Sequence, residues 1–324
     1  MSEKIPEILN LIRDVIVEKK TPLGFSLKKC GEWCKENSNS TTILYSGCLY
    51  LTMGLVEKIY STLKIVTKNP AKEGRVKLLR KFMGIGGAFV SKIPAKQFST
   101  IPRKALEILN SLGYDVGCLK EEPYNGALLY DLGFWDELRR YGEYLRDLFN
   151  SKNAEEIILL DPHAYDVFVN FYSKEIPDFD FKIKLFIDII YENLSKMNLA
   201  WKASDGVIVT YHDPCHYSKS GERQIINEPR RIIKSIKNVG LREPFNNKAL
   251  SICCGGPLEF VFSELSEKIA KMRYDELLAT GAEYIITACP ICTLNLRRVA
   301  EDKSKIIDLI DLIHMCMEGE KAEG

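Results

Sequence analysis

Ten cysteines are spread through 324 residues: Cys30, Cys34, Cys48, Cys118, Cys215, Cys253, Cys254, Cys289, Cys292 and Cys316. Five of them fall into a pattern of one, an adjacent pair and a Cys-x-x-Cys pair, separated by gaps of 37 and 34 residues. An even cysteine count in a short exported chain would indicate disulfides, but this chain is long and has no export signal, so metal or redox chemistry is the better reading. A single tetrahedral zinc takes four ligands and leaves one of the five over, and the spacing is not that of a zinc finger or ribbon. Soft thiolates suit an iron-sulfur cluster, zinc or a reactive thiol pair, and the residues alone leave these three open.

Each of these groups must be carried by an element. Gly206 to Tyr211 and Tyr284 to Ala288 are short β-branched runs ending just before Cys215 and Cys289, and Ala249 to Ile252 plays the same part before Cys253. Helical spacing is expected over Glu228 to Lys237, Leu258 to Ala279 and Thr293 to Glu301; Ile306 to Cys316 is a strand or helix pair. Alternating strands and helices predict a parallel sheet, whose carboxyl strand ends lie on one edge, so five thiols distant in sequence could meet there. Helix amino termini at that edge would favour thiolates. Gly255 and Gly256 permit close backbone approach.

The amino-terminal part repeats the order. Thr42 to Tyr45 leads to Cys48, Tyr124-Asn125-Gly126 precedes a long helix (Leu128 to Asn150), and Glu156 to Leu160 leads to Asp161-Pro162-His163-Ala164. The offsets to the second copy are 129 and 128 for the last two, but 167 for Cys48 against Cys215, which places 38 extra residues in the first copy. From Lys64 to Lys104 that segment has eleven basic residues and one acid, Glu73, around an apolar run too short to span a bilayer. It reads as a solvated hairpin, or as a docking arm for an acidic partner or membrane surface. The expected architecture is α/β with two pseudo-twofold-related domains, each a small parallel sheet flanked by helices. Residues 1–200 form the first, with a connector (1–40) and the basic insertion (about 61–104), and residues 201–324 the second.

With 45 basic and 44 acidic residues the net charge is +1, which argues against a protein built as a whole for nucleic acid. No run reaches the length of a membrane span, so a cytoplasmic location is expected, with peripheral contact at the inner face of a membrane only through the insertion.

The segments Tyr211-His212-Asp213-Pro214-Cys215-His216, Cys253-Cys254-Gly255-Gly256-Pro257 and Thr287-Ala288-Cys289-Pro290-Ile291-Cys292 resemble the cysteine-rich CCG domain. That domain is known from the B and D subunits of heterodisulfide reductase and from iron-sulfur subunits of glycolate and lactate oxidation. Pro22-Leu23-Gly24 and the Trp33 region are similar to the connector of the D-type chain, whose upstream ferredoxin module has no counterpart in Cys30 and Cys34. The resemblance implies that Cys215, Cys253, Cys254, Cys289 and Cys292 hold a noncubane [4Fe-4S] cluster, with zinc as the alternative. It implies an oxidoreductase subunit that moves electrons to or from a disulfide, thiol or persulfide, with a ferredoxin-like or flavin-containing partner subunit. The alternatives are an electron relay in a hydroxyacid oxidation complex and a zinc-stabilised structural subunit.

The first copy departs from the pattern. Tyr124 and Asn125 replace its cysteine pair, Asp161 and Ala164 its Cys-x-x-Cys, and only Cys48 remains, so a second cluster of this type is not expected. The emptied position is either a hydrogen-bonded plug or a cavity in which Cys48, His163, Asp161 and Tyr124 meet a sulfur substrate. His212 and His216, beside Cys215, either anchor the strand end or serve the cluster and its protons, which makes His212, His216, Cys48 and His163 the catalytic candidates. Cys118 and Cys316 are expected to be buried small hydrophobes, and Cys30 and Cys34 plain thiols on a helix, with a redox or partner-docking role as the alternative.

Overall fold

Short β-branched runs separated by helices form two parallel sheets of identical connectivity, which places the chain in the α/β class. The computed structural model describes residues 7–34, 40–57, 100–203, 205–221, 223–259 and 262–317. In the first sheet, β1 (Thr42–Tyr45), β2 (Gly117–Cys118), β3 (Glu156–Leu159) and β4 (Lys182–Leu185) lie in the order β2-β1-β3-β4. The second repeats it with β5 (Val207–His212), β6 (Val239–Arg242), β7 (Tyr284–Thr287) and β8 (Ile306–Asp308) in the order β6-β5-β7-β8. The interior pairs β1/β3 and β5/β7 are in matched parallel register, with Ile43 opposite Ile157 and Thr210 opposite Ile285. Burial of Leu44, Tyr45, Ile157 and Ile158 on one sheet, and Val209, Tyr211 and Ile286 on the other, fixes those strands.

Several boundaries differ from expectation. The run Ala249 to Ile252 is not a strand; a 3-10 turn covers Lys248–Leu250, with Leu250 78% exposed. The neighbour of β5 is instead Val239–Arg242, an edge strand whose Val-Gly-Leu-Arg composition carries little apolar signal. The expected helix Leu128 to Asn150 is two, Ala127–Asp131 and Trp135–Asn150, because Gly133 adopts φ +75° between them. The expected helix Leu258 to Ala279 likewise begins as a 3-10 turn, Gly256–Leu258, before Ser263–Leu278. Most of the basic insertion, through residue 99, lies outside the described residues.

The two units pack through several elements. The helix Ile101–Ser111 lies on Leu309–Cys316, with a Lys104–Asp311 ion pair and a Glu107–His314 hydrogen bond at 2.9 Å. Ala200 N–H donates to the Cys316 carbonyl at 2.8 Å, and Cys316 is a buried free thiol.

Asp308 caps the Leu309–Cys316 helix, its carboxylate accepting from the Ile310 N–H at 2.9 Å. Burial, reinforced by the nearby Asp311, raises its pKa to about 8. A carboxyl whose folded pKa exceeds its unfolded value stabilises the fold at low pH and loses that contribution as pH rises through the folded value. Wild type is therefore expected to lose stability between pH 5 and pH 8, whereas Asp308→Asn, which keeps the cap, should lose less by at least about 1 kcal/mol in denaturant titrations at the two pH values.

Candidate metal centre

In a parallel sheet of this order the chain leaves the two interior strands in opposite directions, opening a crevice beyond their carboxyl ends. Cys215 follows β5 and Cys289 follows β7, so both enter the crevice of the second sheet. The loop that leads away from β6 brings Cys253 and Cys254 to the same place. The five sulfurs form a continuous interacting set: Cys253 interacts with Cys215 and Cys254, Cys254 with Cys292, and Cys292 with Cys289. Cys254, Cys289 and Cys292 are buried, while Cys215 and Cys253 are partly exposed on the open side. Hydrogen bonds from the neighbouring thiols and from the Gly255 N–H hold Cys253 strongly toward thiolate.

The frame around the thiols is polar and fully used. Asp213, two residues before Cys215, takes a bidentate pair from Arg230 at 2.6 and 2.8 Å, and accepts from the Lys248 N–H. Asn295 donates to the Cys254 carbonyl at 2.7 Å, and Ser266 to the Gly255 carbonyl at 2.8 Å. Cys289 occupies the N-cap position of the helix Pro290–Val299, which puts Cys292 in its first turn near unpaired backbone N–H groups. Gly255 sits at φ +80°, and a Cβ there would lie 2.9 Å from the Ser266 carbonyl oxygen. A Cβ on Gly256 would lie 2.2 Å from Ile291 and 3.5 Å from the Cys254 sulfur.

His212 ends β5 beneath this set. Its Nδ1 accepts from Arg273 at 3.0 Å, so the ring proton is on Nε2, which is buried with no hydrogen-bond partner among the described residues. Burial and then the Arg273 charge hold its pKa down to about 3, keeping the ring neutral. A ring nitrogen of His212 lies within 4.8 Å of the Cys254 and Cys292 sulfurs. An all-cysteine donor set, a backbone cradle closed to any Cβ and one unspent N–H fit an anionic sulfur-ligated metal group.

The open side meets the first unit. His163 Nδ1 is 3.7 Å from the Cys289 sulfur, and its ring contacts that of His216 in a tilted arrangement, with centroids 4.1 Å apart. His216 Nδ1 is 2.6 Å from Asp166, and its Nε2 is 3.6 Å from Asp131. Burial opposes charge on His216, but the Asp166 hydrogen bond and the two carboxylates outweigh it and raise its pKa. Burial, and then His216, push His163 far down. Burial raises Asp131 to about 6, partly offset by His216. Sequence reasoning missed Asp131, Asp166 and Arg273; Asp166 was detectable in principle, three residues after His163 on one helix.

The emptied position of the first unit is a packed plug. Asp161, standing where the second copy has Cys289, caps the helix Pro162–Val167 by accepting from the His163 and Ala164 N–H groups. Asn125 donates to Asp161 at 3.4 Å and accepts from the Ala127 N–H. The Tyr124 hydroxyl accepts from the Leu128 N–H, and the Tyr141 hydroxyl donates to the Tyr124 carbonyl. Cys48, Tyr124 and Asp161 are fully buried. The expectations for Cys30, Cys34 and Cys118 are corrected, since Cys30 pairs with Cys48 and Cys34 with Cys118 in disulfides, whereas Cys316 is a buried free thiol as expected. The pairing escaped the sequence because both partners are distant, 18 and 84 residues apart, and are joined only when the connector docks on the β1/β2 edge.

Residues 209–297 match the family model of the CCG cysteine-rich domain, so the second unit carries that domain. The chain is 28% identical over 180 residues to a probable iron-sulfur-binding oxidoreductase of Bacillus subtilis, covering 53% of this chain and 25% of that protein. It is 29% identical over 199 residues to an uncharacterised iron-sulfur protein of Methanococcus maripaludis, covering 61% and 38%. It is 24% identical over 219 residues to the D chain of the dihydromethanophenazine:CoB–CoM heterodisulfide reductase of Methanosarcina barkeri, covering 64% and 52%. The chain thus spans a quarter to about half the length of these relatives. No helix among the described residues is long and apolar enough to cross a membrane.

The cradle can be tested apart from any activity. Gly255→Ala forces a side chain into the left-handed region and against the Ser266 carbonyl, and should cost about 1–3 kcal/mol in denaturant unfolding. A variant as stable as wild type would contradict the tight cradle.

Proposed function

We propose that this chain is an iron-sulfur oxidoreductase subunit of heterodisulfide reductase type, in which Cys215, Cys253, Cys254, Cys289 and Cys292 hold a noncubane-like [4Fe-4S] cluster. The observation that carries the reading is the convergence of those five sulfurs at one strand edge, opposite His163, His216, Asp131 and Asp166. The iron-sulfur names of the relatives point the same way. Bound there, such a cluster supplies one-electron transfer and an iron site for a sulfur ligand.

The rest of the chemistry falls to the protein. Cleaving a disulfide requires a proton for each departing thiolate, and thiol oxidation requires its removal. His216, gripped by Asp166 and facing Asp131, holds a proton at the mouth of the thiol set. Neutral His163 bridges from that ring toward Cys289, and neutral His212 directs its N–H from below. Substrate in this reading is a small disulfide, thiol or persulfide. Electrons would come from a ferredoxin-like or flavin-containing partner subunit, and the chain would work in the cytoplasm.

Anaerobic reconstitution followed by iron, acid-labile sulfide and zinc analysis tests the reading. Stoichiometric iron and sulfide, lost in Cys289→Ser and retained in His216→Gln, is expected. About one zinc with negligible iron in fully loaded protein would overturn it. His216→Gln should slow disulfide turnover by about 10²-fold at unchanged iron content. Unchanged turnover would remove His216 from the proton path.

A further inference from the structure

Of the five cysteines outside the CCG set, Cys316 is a buried free thiol and the other four are themselves organised. Cys30 and Cys34 lie one turn apart in the connector, at the end of the Leu27–Cys30 helix and just beyond it. Cys30 is joined to Cys48 beyond the carboxyl end of β1, and Cys34 to Cys118 in β2, with Cα separations of 5.0 and 5.7 Å. Gly31 makes the docking possible, since a Cβ there would lie 2.4 Å from the Lys120 carbonyl oxygen.

The two disulfides differ in environment. Cys34 and Cys118 line an open pocket of about 680 Å³, together with Lys28, Lys120 and Lys152. Glu32 and Glu121 also reach it, but Glu121 pairs with Lys28 and Glu32 with Lys29, which leaves the pocket lysines in excess. Cys30 and Cys48 are fully buried beside Glu122, whose carboxyl accepts from the Cys48 N–H at 2.8 Å and from the Ser46 hydroxyl. Burial, tempered by those hydrogen bonds, raises Glu122 to about 7, where it can lose or gain a proton near neutrality.

The connector is also held by contacts other than these bonds. Leu23, Phe25 and Trp33 are buried, Glu122 N–H donates to the Leu27 carbonyl at 3.2 Å, and Tyr124 N–H to the Lys20 carbonyl at 2.8 Å. Opening a disulfide therefore leaves a held segment rather than a loose one.

We propose that the four cysteines form a dithiol-disulfide relay in which Cys34–Cys118 exchanges with small anionic thiols and Cys30–Cys48 is its interior partner, served by Glu122. An external thiolate attacks the Cys34–Cys118 bond, forming a mixed disulfide and releasing one protein thiolate, which takes a proton from water. A second external thiol displaces the first, so two thiols become one external disulfide and Cys34 and Cys118 become thiols. The Cys34 thiolate then attacks Cys30, forming Cys30–Cys34 and breaking Cys30–Cys48, and the released Cys48 thiolate takes its proton from Glu122. The relay requires no metal, so it stands or falls independently of the cluster.

Full-length protein equilibrated in glutathione buffers of graded potential, acid-quenched, alkylated and mapped by mass spectrometry tests this. Reversible opening of Cys34–Cys118 with an unchanged circular dichroism spectrum is expected, with glutathione trapped on Cys34 in Cys118→Ser. A Cys30–Cys34 species should appear in wild type, and Glu122→Gln should slow its formation about tenfold while leaving the first exchange intact. Opening of either disulfide only on unfolding, with no glutathione adduct in wild type, would overturn the relay in favour of structural staples. Four thiols holding a stoichiometric metal in the folded protein would overturn it equally.

Discussion

Five thiols crowded at one strand edge are the constraint on which the rest of this molecule depends. If all were ionised, their mutual repulsion in a half-buried crevice would be prohibitive, so protons or a metal group must balance them. The surroundings fit the second solution. Arg273 and Arg230 are spent in fixing His212 and Asp213, and do not pair with sulfur. On this side the sulfurs meet backbone N–H, a neutral imidazole N–H and space that glycine keeps open.

In the first unit the corresponding strand edge is filled by other side chains. Asp161 does in its own position what a helix-capping oxygen does best, accepting from two backbone N–H groups, and Asn125 and Tyr124 fill the remaining volume. At this position the first unit presents a packed, hydrogen-bonded wall. The side chains projecting from that wall toward the second unit, His163, Asp131 and Asp166, surround His216 and give the thiol set a charged, hydrogen-bonded opposite face.

Much of this was legible in the residues. The strand-cysteine junctions at Tyr211 to Cys215 and Thr287 to Cys289 marked the crevice, and the matching offsets revealed the second sheet. The edge strands β2, β4 and β6 were not legible, because two to four residues with a polar face carry no pattern distinct from a loop. Gly133 was visible, but a single glycine does not announce a break inside an otherwise amphipathic stretch. The disulfides and the Asp131–His216 contact depend on tertiary docking between segments far apart in sequence, which neither periodicity nor spacing encodes.

The central claim is that the five-thiol crevice carries a redox-active iron-sulfur group open to a sulfur ligand. Electron paramagnetic resonance of the anaerobically loaded chain, recorded before and after adding a small thiol, tests it most directly. The expected result is an iron-sulfur signal whose g-values shift on thiol addition and which is absent from Cys289→Ser. A signal indifferent to thiols would contradict direct sulfur chemistry and leave a relay, and a loaded protein whose metal is redox-silent zinc would contradict the claim altogether.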